Sequence, residues 1–93
     1  MEEKAQKVAD LFGLLSNRYR LLILCALLER PIGVSEFAQM FPQITRAALS
    51  QHLHALKVAG IISHKKSGQY VTYSLADDRI KELFNVVKKH YCD

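Results

Sequence analysis

The sequence lacks most of what would place a protein outside a reduced, aqueous compartment. It has only two cysteines, at positions 25 and 92. They show neither a paired nor a crowded spacing, so they frame no disulfide scaffold and read as reduced thiols. The longest apolar run, residues 21–28, is far below the roughly 20 residues needed to cross a bilayer. The start, Met-Glu-Glu-Lys, is not a basic and then apolar leader. The expected location is the cytoplasm, with no membrane partner. Catalytic motifs are missing too: there is no glycine-rich phosphate loop, no Gly-x-Ser-x-Gly elbow and no His-Glu-x-x-His pair. Ser50 and His52 stand two apart in a helical stretch, so they point away from each other and form no local nucleophile and base. An enzyme is not expected.

Acidic residues are absent from residues 37–76, where Arg46, Lys57, Lys65 and Lys66 fall beside His52, His54 and His64. These four cations equal the net charge of +4, and the other nine of the 13 Lys and Arg offset the 9 Asp and Glu. The middle of the chain is therefore the part that attracts a polyanion. Proline and glycine are sparse and act as punctuation. Pro31, Gly33, Pro42, Gly60 and Gly68 cut the 93 residues, enough for one domain with a single modest core, into short elements.

Val8, Leu11, Phe12 and Leu15 follow helical spacing, and Leu21, Leu24, Cys25 and Leu28 repeat it after a polar break at residues 16–18. Cys25 thus falls on an apolar stripe and reads as a small core residue. Residues 31–34 form an extended connector. Ser35 is placed to cap a short helix that runs through Met40 and stops before Pro42. Thr45 then caps a second helix that ends at Gly60. That helix is two-faced. Leu49, Leu53 and Leu56 make an apolar stripe, while Arg46, Ser50, His54 and Lys57 lie opposite, with Ala47 and Gln51 beside them. Short polar and cationic side chains on an outward face suit a helix lying in a major groove.

Residues 61–66 and 69–75 are β-prone runs joined by Ser67-Gly68, a hairpin whose tip collects Lys65, Lys66 and Gln69. Asp77 or Asp78 opens a last helix, which carries Lys88 and Lys89 near its end. The expected fold is mainly α, with about five helices and a small β-hairpin wing: a winged helix-turn-helix. It forms one domain over residues 1–93, with a reading motif at 35–60, a wing at 61–75 and a C-terminal dimerisation helix at 77–92. Double-stranded DNA is the expected partner, contacted by Gln43, Thr45, Arg46, Ala47, Ser50, Gln51, His54, Lys57, Lys65, Lys66 and Gln69. His52 fits the groove or helix packing equally well. Val8, Leu11, Phe12 and Leu15 of the first helix, with Ile80, Leu83, Phe84, Val87 and Tyr91 of the last, form stripes that one small core would struggle to cover. They are expected to build a two-fold dimer interface.

The stretches Leu15-Ser16-Asn17-Arg18-Tyr19-Arg20-Leu21-Leu22-Ile23-Leu24, Val34-Ser35-Glu36-Phe37-Ala38 and, above all, Ser50-Gln51-His52-Leu53 with Ala59-Gly60-Ile61-Ile62 resemble the ArsR/SmtB family of small bacterial repressors. The wing ending Tyr70-Val71-Thr72-Tyr73-Ser74-Leu75 is similar as well, so the resemblance spans nearly the whole chain. It implies a winged-helix dimer that occupies a promoter and leaves it, or weakens its hold, when an inducer binds. The two reading helices of such a dimer, meeting successive major grooves, lead to the expectation of an inverted-repeat operator. The chain departs from the family at Ala47, where Ser is common, and at Arg18-Tyr19, where His-Pro is common.

Many members of that family release DNA on binding a metal, near the first helix of the reading motif or on the last helix. Ser35-Glu36-Phe37-Ala38 offers no Cys or His at the first place. At the second, the resemblance puts the ligand positions on Asp77, Arg79, His90 and Asp93, and Arg79 sets a permanent cation where a neutral imidazole is needed. No metal site is expected there, and Asp77 reads as a helix cap. The ending Tyr91-Cys92-Asp93 resembles the branch of HlyU and BigR, whose members respond through two cysteines. The partner position is Ala38 here, which leaves Cys92 as a single redox candidate. The favoured reading is a repressor without cofactor or small-molecule inducer. The alternatives are redox response through Cys92, metal response through Asp77, His90 and Asp93, and a winged helix turned to protein binding.

Overall fold

The computed structural model describes residues 1–92, Cys92 by its backbone alone. In chain order the elements are α1 (Glu2–Leu15), α2 (Arg18–Leu27), β1 (Ile32–Gly33), α3 (Val34–Met40), α4 (Arg46–Val58), β2 (Ile62–Ser67), β3 (Tyr70–Leu75) and α5 (Asp78–Val87), followed by a π-helical turn at Lys88–Cys92. The five helices and the basic hairpin correspond to the winged-helix expectation.

Local chemistry sets most boundaries. Asn17 starts α2 by accepting from the backbone N–H groups of Tyr19 (2.9 Å) and Arg20 (3.2 Å) through Oδ1. Thr45 Oγ1 accepts from Ala48 N at 3.0 Å and starts α4. At the other end of α4, Gly60 takes φ 78°, its N–H donates to Lys57 O at 2.9 Å and the Ile61 N–H donates to Leu56 O at 3.0 Å. That is a Schellman ending, and its usual hydrophobic contact is supplied by two buried side chains, Ile61 and Leu56.

Three details differ from the sequence-based expectation. The connector at residues 31–34 contains a strand: β1 pairs antiparallel with β3, Ile32 opposite Tyr73 and Gly33 opposite Thr72, so the sheet has three strands in the order β1-β3-β2. Because Gly33 holds extended backbone in that pairing, the chain enters α3 directly at Val34, and Ser35 lies inside the helix rather than at its cap. The hairpin turn is Gly68-Gln69, with Ser67 still paired to Tyr70. Gly68 has φ 62° and, among the described residues, no non-glycine residue has positive φ, the type II′ pattern in which glycine takes the first central place.

The core lies between α2, α3, α4 and the sheet, where Ile23, Leu24, Phe37, Leu49, Leu53, Leu56 and Ile62 are fully buried. Each contributes about 1.5–3 kcal/mol by leaving water. Leu15 of α1 and Ile80 and Phe84 of α5 belong to the same cluster. This corrects the expectation that these three line a dimer interface, since inside the protomer they have almost no surface left to offer a partner. Cys25 packs partly buried against the cluster, as its stripe position implied.

Candidate nucleic-acid interface

α4 is held by its buried stripe of Leu49, Leu53 and Leu56, and this fixes which side faces out. Thr45, Arg46, Ala47, Ser50, Gln51, His54 and Lys57 are all exposed on that side, and Gln43 is exposed in the turn before it. Thr45 spends one acceptor lone pair on its cap and keeps its O–H to donate. Along β2, Lys65 lies opposite Thr72 and Lys66 opposite Val71, and as neighbours on a strand the two lysines project to opposite faces of the hairpin. Both are exposed, as is Gln69 in the turn. Tyr70, not singled out in the sequence, is also exposed beside the turn.

The electrostatics follow from the missing acids. The ion pairs among the described residues are Arg30–Glu36, Arg79–Asp77 and Lys88–Glu29. None involves Arg46, Lys57, Lys65 or Lys66, so the positive charge of the α4 face and the wing is locally uncompensated.

The histidines of the basic window separate. His54 is exposed, whereas His64 sits half-buried at the base of the wing, its ring 5.8 Å from that of Tyr73. His52 is turned inward. Its Nδ1 accepts from Arg20 Nε at 3.1 Å, and its ring stacks on Tyr19 at 6.1 Å. Burial, and then the neighbouring Arg20 cation, hold its pKa below the ordinary value. The open question about His52 is thereby answered as packing. Arg20 escaped the sequence reading, although a signal was present: it falls on the same stripe of α2 as the buried Ile23, Leu24 and Leu27, an unusual place for a cation.

Along α1, α5 and the turn that follows it, Val8, Phe12, Val86 and Tyr91 are exposed, Val87 is half-buried, and Leu11 and Leu83 lean partly buried on the core. A shallow groove between α1 and α5 is lined by Phe12, Leu21, Leu83 and Val87. Asp77 caps α5 and is gripped by Arg79, whose hydrogen bonds hold its carboxyl below the usual range. His90 is exposed, and among the described residues no group of three His, Cys, Asp or Glu converges as metal ligands would. The Cys92 thiol and Asp93 lie outside the described residues. No described helix is long and apolar enough to cross a membrane.

A capped helix with an acid-free outward face, a tight proline-broken lead-in and a basic two-stranded wing together define a DNA-binding transcription regulator of the winged helix-turn-helix class. The family model described as HxlR-like helix-turn-helix matches residues 14–91, and the chain belongs to that family. It is a family of transcription regulators and not of enzymes. The chain is 33% identical to the transcriptional activator HlyU of Vibrio cholerae, over 99% of its own length and 84% of that protein's. It is 32% identical to the biofilm growth-associated repressor of Xylella fastidiosa, over 99% and 80% of the two lengths. Among solved structures, reduced HlyU from Vibrio cholerae superposes with a TM-score of 0.91 at 32% identity, covering 100% of this chain and 97% of that one. The homodimeric winged helix-turn-helix domain of a possible ArsR-family regulator from Mycobacterium bovis superposes at 0.81 with 26% identity, covering 95% and 81%. The ArsR/SmtB resemblance drawn from the sequence agrees with these neighbours.

Proposed function

We propose that the chain is a cytoplasmic repressor that binds an inverted-repeat operator as a homodimer, acting as a single winged-helix domain over residues 1–93 without cofactor or inducer. The observation that carries this reading is the uncompensated charge of Arg46, Lys57, Lys65 and Lys66, spread over one helix face and the wing beside it. Arg46 and Gln51 reach base edges, and Thr45 and Ser50 bond phosphates. Gln43, Ala47 and His54 lie along the groove wall, and Lys57, Lys65, Lys66 and Gln69 hold the backbone. The homodimeric neighbour supports a two-fold assembly, and the exposed apolar side chains of α1 and α5 support placing the contact there. Such an assembly presents two reading helices to successive major grooves about 34–36 Å apart.

The test is a fluorescence-anisotropy titration against DNA from the protein's own promoter at two salt concentrations, with and without reductant and zinc, paired with a promoter reporter. Tight, salt-sensitive binding by a dimer, with reporter output rising when the protein is removed, is the expected result. Absence of specific binding at every condition would point to a winged helix with a protein partner, and a response to reductant or zinc would show an effector.

A further inference from the structure

Arg20 stands on α2, yet its guanidinium touches two other helices. Nη1 donates to Leu14 O at 3.1 Å, one of the last carbonyls of α1, which have no partner within their own helix. Nε donates to His52 Nδ1 at 3.1 Å on α4. The His52 ring stacks on Tyr19, and Tyr19 meets Phe41 edge-on at 5.6 Å, where α3 ends. His52 lies one turn from both Leu49 and Leu56 and is half-buried, so it sits on the flank of the buried stripe and not among the outward side chains. The hydrophobic stripe beneath α4 is non-directional, so it resists rotation about the helix axis and sliding along it only through shape. A hydrogen bond at the edge of the helix opposes both.

We propose that Arg20 and His52 are positioning residues for DNA binding, a strut that fixes the reading helix relative to the end of α1. This rests on the proposed dimeric reading, in which α1 carries the contact between protomers. The strut then sets the spacing and tilt of two α4 helices with respect to each other, and no residue in it touches DNA. The bond needs a particular tautomer: Nδ1 accepts, so the proton of the neutral ring is on Nε2.

The test compares operator affinity of full-length variants, each measured well below its own melting temperature, with dimer mass followed by sedimentation. Arg20→Met removes the donors and keeps the packing stem. His52→Phe keeps a ring for Tyr19 and removes the acceptor, whereas His52→Asn places an oxygen near the position of Nδ1. The expected result is about a tenfold loss of affinity for Arg20→Met and for His52→Phe, the scale of one charge-assisted hydrogen bond. The double variant is expected to be no weaker than either single one, and His52→Asn to stay within about threefold of wild type, all with dimer mass unchanged. If Arg20→Met fails to fold, the His52→Phe and His52→Asn pair makes the same comparison. Wild-type affinity in a folded His52→Phe or Arg20→Met protein, additive losses, or a His52→Asn loss equal to that of His52→Phe would each overturn the strut. Failure of the wild type to bind its promoter would overturn the dimeric reading and the strut together. Binding that is weakened by Lys65→Ala but not by His52→Phe overturns the strut alone.

Discussion

Arg79 grips Asp77 with both arms of its guanidinium: Nε donates to Oδ1 at 3.1 Å and Nη2 to Oδ2 at 2.9 Å, while Oδ1 also accepts from the Arg79 backbone N–H at 2.9 Å. Asp77 is therefore both a helix cap and half of an ion pair, and the two roles separate by mutation. Asp77→Ala removes the cap and is expected to cost about 1 kcal/mol, within the usual range for caps. Arg79→Ala leaves the cap bond intact and removes only an exposed, solvent-screened pair, so it should cost clearly less than Asp77→Ala. Urea denaturation measures both, and equal losses would show that the pair and not the cap secures α5. The depressed Asp77 carboxyl stabilises the fold above its unfolded value near 3.9, and that contribution is lost as pH falls through the lower folded value. Asp77→Ala should flatten the acid end of the stability profile.

The cations of the reading face and wing predict a salt signature. In a dimer, Lys65→Ala or Lys66→Ala removes two phosphate contacts, so the log–log slope of affinity against salt should become shallower by about 1.8 and binding should weaken alike on all sequences. Gln51→Ala should leave the slope unchanged and relax discrimination at one base position by about 1–3 kcal/mol. An unchanged slope in both lysine variants would remove the wing from the interface.

Features encoded within a few residues were legible in the sequence. Thr45 as a cap, Gly60 as a helix stop, Asp77 at the start of α5 and the buried stripe of α4 each follow from neighbours one turn away. Features made by distant contacts were not. β1 is two residues long and exists because Ile32 meets Tyr73 across the fold, which no local pattern announces. The periodicity of α5 grouped Ile80, Leu83, Phe84 and Val87 on one side but could not say what covers them. The core took Ile80 and Phe84. The Arg20–His52 bond joins positions 32 apart, and only the odd placement of a cation on a buried stripe hinted at it.

Protonation of His52 opposes the fold. Its pKa is lower in the folded protein than the ordinary value of about 6.5, so protons bind the unfolded chain more tightly. The stability linked to this residue is full above about pH 6.5 and is lost as pH falls toward the folded value. An imidazolium would also set Nδ1–H against the Arg20 guanidinium. Between pH 7.5 and 5 the wild type should therefore lose more melting temperature than His52→Asn, in which the remaining histidines are shared and cancel. Parallel Tm profiles from circular dichroism would contradict this.

Phe12 and Phe84 mark the two fates of the α1 and α5 stripes. Phe84 is 2% exposed and Phe12 is 56% exposed. Phe84→Ala opens a cavity in the protomer's own core and should cost about 3–5 kcal/mol, a large part of the stability of a small domain. Phe12→Asp changes a side chain that the protomer leaves in water, so the melting of the isolated subunit should shift little. In the proposed dimer the same carboxylate would be forced into an apolar contact. Sedimentation should then report the 10.6 kDa monomer. Operator affinity should fall on the order of 100-fold, because a monomer loses the gain from tethering two half-site readers together. A Phe12→Asp protein that remains dimeric at micromolar concentration would place the two-fold contact elsewhere. One that becomes monomeric yet keeps full affinity would mean that a single reading helix suffices, and the inverted-repeat operator would lose its rationale.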